Sequence, residues 1–469
     1  MTDKRRASRQ KWTLPVALGF ALLLAALLQA AAFWPGIMTW DAVRQYGEAL
    51  TGHYDDWHPP AMDWLWRELL VIRHGPSPML CLQLALYWGG FAGLMAWALR
   101  LRRSGLAITL TLAAMMPIPL ALMGAVLKDC LMAGALVAVT ALIAWLPERR
   151  GWGLRLAGLV LLVGAATLRF NALPACLPLM VAILPPHWWQ RRWRLAATLL
   201  GCTMILALVM PVANRLLKVE PSGVGLSLVI FDLAGITYYS TVDNFPDIDV
   251  QNRVAVNARC YSPVRWDHYA WWSPEACAIQ FEDIGDAFED AGQSPYRFWL
   301  DAVAGHPLAY ARHRLAHFNV NSRFLVHDEV ERAVQAESAP NKWGFHVTPN
   351  PLLATIDSLA LLSGRTPLGW PICWMALALG TLILAPGLPT RRVIVPVALS
   401  ALLYGLGYLP ASVAAELRYH LWTMLAALIA ALVVVADLRG GAAVSRARLW
   451  SAAAPLLIVT TLCLIWRLA

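Results

Sequence analysis

Long apolar runs dominate this chain and leave few folds open to it. Stretches with almost no charge recur from Leu14–Phe33 near one end to Ala452–Ile465 near the other. Many approach the roughly 17 to 20 residues that let a helix cross the hydrocarbon core of a bilayer. Inside lipid the backbone must satisfy its own hydrogen bonds, so runs of this length are read as helices. Spans are expected over Leu14–Phe33, Met79–Leu99, Leu106–Met123, Leu131–Leu146, Leu154–Leu168, Leu173–Leu184, Leu195–Val212, Pro371–Leu384, Val393–Leu409, Leu421–Val435 and Ala452–Ile465. The fold class is therefore an all-α polytopic membrane protein with about eleven transmembrane helices. Only 14% of the residues are charged, against roughly a quarter in soluble domains. The 23 tryptophans fit a chain with many membrane–water boundaries.

The formal charge of +9 is distributed as short basic clusters between the apolar runs, not as one surface. Nucleic acid is accordingly excluded as a partner, and the clusters are read as orientation signals. Lys4, Arg5, Arg6, Arg9 and Lys11 precede the first run; Arg100, Arg102 and Arg103 follow the second; Arg149, Arg150 and Arg155 separate the fourth and fifth. Arg191, Arg192 and Arg194 follow the sixth, Arg391 and Arg392 the eighth, and Arg439, Arg446 and Arg448 the tenth. One topology puts all of them on one side, the cytoplasmic one, with the amino terminus there too. The basic start and the first run resemble a secretory signal, but the run is long and others follow, so it is read as an uncleaved anchor.

Three regions are expected: an N-terminal transmembrane module over 1–213 with a first outer loop at 34–78, a mainly α extracytoplasmic segment over 214–365, and a C-terminal transmembrane module over 366–469. Cys260 and Cys277 alone among the cysteines fall in the hydrophilic segment. In an oxidising compartment they can form a disulfide worth about 3 kcal/mol.

The outer side then collects nearly all the conspicuous polar groups at helix ends. Trp40–Asp41 lies just past the first span, and Asp41 reads either as a helix N-cap or as a general base whose proton affinity nearby lipid would raise. In Asp55–Asp56–Trp57–His58–Pro59–Pro60 the prolines make a stiff turn. His58 can bond a sugar or phosphate, and Asp55 and Asp56 are weak candidates for a divalent cation; a plain loop corner explains them equally. Lys128–Asp129 is an ion pair or a phosphate ligand with its orienter. Arg169–Phe170–Asn171 carries an arginine on the side where basic residues are otherwise few, which suggests an anionic partner. Glu416–Leu417–Arg418–Tyr419 offers either a structural bridge between Glu416 and Arg418 or an arginine fork for phosphate, with Tyr419 at the interface. His313 and His317 have a spacing that zinc tolerates, but HRLAH lacks the glutamate of HExxH. A helix lying on the membrane through Leu308, Leu315 and Phe318 explains them better.

Taken in order, Asp41 in the first outer loop, His58–Pro60, Lys128–Asp129, Arg169–Asn171 and Glu416–Arg418–Tyr419 resemble the GT-C superfamily, multi-span glycosyltransferases that use polyprenyl-phosphate-linked sugars. Ala42 departs from the second acidic residue many members carry after the first, so a divalent metal stays an open possibility. The resemblance implies a GT-C-like fold in a bacterial inner membrane, with the active site on the extracytoplasmic face. It implies transfer of a sugar from the lipid phosphate to a surface glycan, lipid or protein, with inversion. Asp41 would be the base, Lys128, Arg169 and Arg418 would hold the donor phosphate, and Trp40, His58, Asp129, Asn171, Glu416 and Tyr419 would orient the substrates. A transporter or flippase of lipid-linked glycans is one alternative. A transferase of phosphoethanolamine or acyl groups is another, although no nucleophile or rich metal cluster is evident.

Overall fold

The computed structural model describes residues 2–146, 151–273, 276–327, 332 and 334–469, with side chains from residue 13 onward. The side chains of Lys4, Arg5, Arg6, Arg9 and Lys11, and all of Arg149 and Arg150, lie outside the described residues. Every regular element among the described residues is helical. The first ten α-helices are α1 (Thr2–Ala32), α2 (Trp40–Thr51), α3 (Ala61–Leu69), α4 (Ser77–Arg100), α5 (Ser104–Ala113), α6 (Pro117–Leu122), α7 (Lys128–Trp145), α8 (Trp152–Ala166), α9 (Leu173–Ile183) and α10 (Arg192–Leu217). Then come α11 (Gly225–Ser240), α12 (Arg253–Cys260), α13 (Phe281–Asp290), α14 (Pro295–Gly305) and α15 (Pro307–Asn321). The last are α16 (Pro351–Gly364), α17 (Pro371–Leu384), α18 (Arg391–Leu406), α19 (Leu421–Arg439) and α20 (Arg446–Leu468).

Six stretches are long and apolar enough to cross a membrane: Thr13–Ala32, Ser77–Arg100, Lys128–Trp145, Arg192–Leu217, Leu417–Arg439 and Arg446–Leu468. Each coincides with an expected span. Four further expected spans form shorter helices, α8, α9, α17 and α18. The expected span Leu106–Met123 is broken instead. Met116 precedes Pro117 and takes an extended backbone, ψ 138°, because a proline ring disfavours the helical conformation in the residue before it. The interruption frees carbonyls that cannot be left bare in an apolar core. Tyr87 donates its hydroxyl to the Ala114 carbonyl, Gln29 its amide to Leu120, and Gln83 its amide to both Met123 and Ala125.

The chain divides into two compact units: Met1–Glu220 with Arg332–Gly405 and Leu417–Leu462, and Pro221–Glu331 with Leu406–Glu416 and Cys463–Ala469. The expected segment 214–365 is thus shared between them. In the first unit α7 packs along α4 and α8, and α17 along α19. The basic ends of these helices gather at one end of the unit. Arg100 lies 5.1 Å over the Trp145 ring, Arg103 pairs with Asp437, Arg155 donates to the Ile183 carbonyl, and Arg448 donates to the Ile383 carbonyl.

In the second unit α15 packs on α11 with its polar side inward. Asp232 meets His313 Nε2 at 3.1 Å and Arg314 at 2.6 Å, the Tyr261 hydroxyl meets His313 Nδ1 at 2.9 Å, and His317 Nδ1 bonds the Pro263 carbonyl at 2.7 Å. Both histidines are fully buried and each has a protein partner, while Leu308 and Leu315 are exposed. The same unit holds the disulfide between Cys260 and Cys277, whose Cα atoms are 5.6 Å apart.

Candidate functional site

The site begins with a chain crossing. Ile37, just past α1, pairs in parallel with Ala125, just before α7, through Ile37 N–Gly124 O at 3.1 Å and Val126 N–Ile37 O at 3.0 Å. Two glycines make this approach possible. Gly36 has a φ of +122°, and a Cβ on Gly124 would lie 2.2 Å from the Phe33 ring. Gln83 grips the same connector from below. A few residues past the crossing on each side, α2 and α7 begin, so Asp41 and Lys128 emerge together.

Thr39, not Asp41, caps α2, accepting from Ala42 N at 3.2 Å. That frees the Asp41 carboxylate for other partners. Its Oδ2 accepts from Lys128 Nζ at 2.8 Å and from Arg418 at 3.0 Å. Arg418 sits on the short helical turn Leu417–His420 that leads into α19. Residues 87 and 377 positions from Asp41 therefore share one of its oxygens. The Pro59–Pro60 turn before α3 holds His58 beside them, its Nδ1 3.2 Å from Lys128 Nζ and its Nε2 3.8 Å from Asp41.

A second pair adjoins the first. Asp129, next to Lys128 on α7, pairs with Arg169, and Arg169 Nε donates to Asn171 at 3.1 Å. The Tyr419 ring joins the two pairs: the Arg169 guanidinium lies 4.4 Å and that of Arg418 5.5 Å from its centroid. Cation–π contacts of this kind keep arginine heads in place without neutralising them. Three cations, Lys128, Arg169 and Arg418, thus face two carboxylates, Asp41 and Asp129. The cluster is only partly covered, Asp41 retaining 21% of its side-chain exposure.

The electrostatics correct one expectation. Burial does act to raise the Asp41 pKa, but Arg418 and then Lys128 outweigh it and hold the carboxyl well below the usual range. Burial is the largest single influence, and only the cations acting together on that carboxylate exceed it. His58 is driven down to about 3 by burial and by Lys128, so it is neutral at ordinary pH and its Nδ1 accepts from the ammonium.

Asp55 falls outside the cluster. It pairs with Arg44, and its Oδ1 accepts from Trp57 N at 2.8 Å. Arg44 also reaches Glu48 at 3.3 Å and lies over Trp57. The adjoining backbone is tied to Glu220 through Asp56 N–Glu220 O and Glu220 N–Tyr54 O. A guanidinium therefore occupies the place a cation would take, and no group of three metal-ligating side chains occurs among the described residues. Trp40 is 66% exposed at the start of α2. Glu416 belongs to the second unit, and within the first unit Arg418 engages Asp41.

Two acids escaped attention in the sequence. Glu48 is pushed up to about 7, chiefly by burial and then by Asp55. Asp63 on α3 is fully buried beside Gln45 and is raised well above the ordinary range, again by burial first and Glu48 second. The signal was there in helical spacing: Asp41, Gln45 and Glu48 stand four and three residues apart, on one side of α2.

Six helices long and apolar enough to cross a membrane, with a partly covered charged cluster at one end of a helical unit, define the class as a multi-pass membrane protein. The chain matches no protein-family model and none of the curated proteins compared with it.

Proposed function

We propose that the protein is a membrane glycosyltransferase of GT-C type that moves a sugar from a polyprenyl-phosphate donor to an extracytoplasmic acceptor. The observation that carries this is the meeting of one carboxylate, Asp41, with two cations, Lys128 and Arg418, which share one of its oxygens. A sugar phosphodiester carries a negative charge that the same cations would bind. Its leaving group is already a stable anion, so cations and not a general acid are what departure needs.

In this mechanism the donor phosphate bonds Lys128, Arg418 and Arg169. Those bonds draw the two cations away from Asp41, and a carboxylate relieved of its partners regains basicity. Asp41 then takes the proton of the acceptor hydroxyl as its oxygen attacks the anomeric carbon. The bond from that carbon to the phosphate oxygen breaks, its electron pair stays on the phosphate, and attack from the opposite face inverts the anomeric centre. Neutral His58, with Nδ1 accepting from Lys128, leaves its Nε2 proton to orient a substrate oxygen. Asp129 and Asn171 hold Arg169 in place.

The test is transfer of radiolabelled sugar from a polyprenyl-phosphate donor in proteoliposomes. Wild-type protein should transfer and Asp41→Asn should lose at least about a hundredfold, within the usual range for a general base. Undiminished transfer by Asp41→Asn at equal expression would remove Asp41 as the base. Facilitated movement of the intact donor across the bilayer without transfer would instead mark a flippase.

A further inference from the structure

At the opposite end of the first unit from Asp41, a second feature has the chemistry of a ligand site. α9 runs away from Asn171 to Ile183, and the chain turns through His187–Trp188–Trp189 before α10 starts back at Arg192. A shallow groove of about 300 Å³ lies in this turn, lined by His187, Trp188, Trp193, Arg194, Ala197 and Thr198. Its walls are held in place: Arg194 donates to the His187 carbonyl at 3.0 Å and lies 5.2 Å over the Trp193 ring, while Thr198 donates to the Trp188 carbonyl at 2.9 Å.

The groove is uncompensated in charge. From residue 151 to residue 217 the sequence contains no aspartate or glutamate. Among the described residues no carboxylate pairs with Arg191, Arg192 or Arg194, and the first two are exposed. Above it rises a continuous apolar row on α10: Trp193, Leu200, Met204, Leu208, Val212 and Leu216 are each more than half exposed. The helix extends about 39 Å at 1.5 Å per residue, and only 11% of its apolar window is buried. Fatty chains are what cover such a face in a membrane. A phosphate head with two acyl tails matches both parts, Arg194 in the groove with exposed Arg191 and Arg192 next to it in sequence, and the row above.

We infer that this groove binds the phosphodiester headgroup of an anionic membrane lipid, with the acyl chains laid along the exposed row of α10. Indole rings at Trp188 and Trp193 suit the boundary where headgroup meets chain, the usual place for tryptophan. Basic pockets between membrane helices select anionic lipids by this combination of charge and depth. The site is independent of sugar transfer and stands whether or not the cluster around Asp41 is catalytic.

Native mass spectrometry of the detergent-purified full chain tests it, with phosphatidylglycerol titrated against phosphatidylcholine. Phosphatidylglycerol should half-saturate one site at a concentration at least about tenfold lower than phosphatidylcholine, given roughly fivefold per interfacial arginine. The variant R191Q/R192Q/R194Q should raise that concentration about a hundredfold. The control R102Q/R439Q/R446Q removes as many arginines from the same end and should shift it by no more than about twofold. If R191Q/R192Q/R194Q fails to fold, Arg192→Gln alone should shift it about fivefold. Equal retention of the two lipids, an equal loss in the control, or displacement of phosphatidylglycerol by equimolar glycerol phosphate would each overturn the assignment.

Discussion

Replacing Asp41 by Asn keeps the shape of the side chain and removes the charge that Lys128 and Arg418 share. Two unit charges about 4 Å apart interact by up to about 4 kcal/mol at an effective dielectric of 20. Breaking a buried pair by removing one partner costs about 3–5 kcal/mol. Asp41 keeps a fifth of its exposure and the asparagine oxygen still accepts one bond, so we expect a loss near the lower figure, about 3 kcal/mol. A domain of 150–250 residues shifts about 2–4 °C per kcal/mol, and less in a larger one, so thermal unfolding in detergent should fall by about 5 °C. Phosphate binding should move the other way. The cluster loses one negative charge, and a ligand phosphate no longer competes with the Asp41 carboxylate. A gain of about 1.4 kcal/mol is a tenfold lower Kd, measurable by calorimetry with a short-chain polyprenyl monophosphate. Lower stability, tighter phosphate binding and lost transfer form one signature. Unchanged unfolding together with unchanged or weaker phosphate binding would refute the idea that Asp41 restrains the two cations.

Three further outcomes follow from the geometry. Glu48 has a folded pKa of about 7, above the value of a free glutamate, so protonation favours the folded state. Its contribution is complete below about pH 4 and is lost as pH rises through about 7. Glu48→Gln should flatten the decline of unfolding temperature between pH 5 and 8 that the wild type shows. Replacing both Cys260 and Cys277 by Ser opens a loop with a sequence separation of 17 and should cost the second unit about 3 kcal/mol, seen as earlier proteolysis around α12 and α13. Gly124→Ala forces a Cβ to within 2.2 Å of the Phe33 ring. It should cost about 1–3 kcal/mol and, by pushing α7 away from α2, weaken phosphate binding as well. Normal stability with normal binding would show that the crossing of residues 37 and 125 does not position Lys128.

Much of the helical layout was legible because its causes are local. The break at Pro117 is written in Met-Met-Pro-Ile-Pro, where one proline forces its predecessor out of the helix. Thr39 as the cap of α2 was equally within reach, since threonine two residues before an aspartate competes directly for that role. Nothing local foretold Asp232 as the partner of His313, or the Pro263 carbonyl as that of His317. The sign of the Asp41 shift could not be read at all. It depends on whether lipid or cations stand closest, and those cations lie far along the chain.

Apolar runs specify membrane helices residue by residue, since each transfer free energy and each backbone hydrogen bond belongs to its own segment. For that reason the helical class, the positions of the long spans and the basic character of one set of helix ends were already decided in the amino-acid order. Packing decided the rest. Asp41, Lys128, Arg418 and Arg169 become a single charged cluster only because Ile37 crosses Ala125, Gln83 holds the connector, and α19 begins where α2 and α7 begin. Contacts between distant segments depend on shape complementarity across helices, which no window of sequence contains.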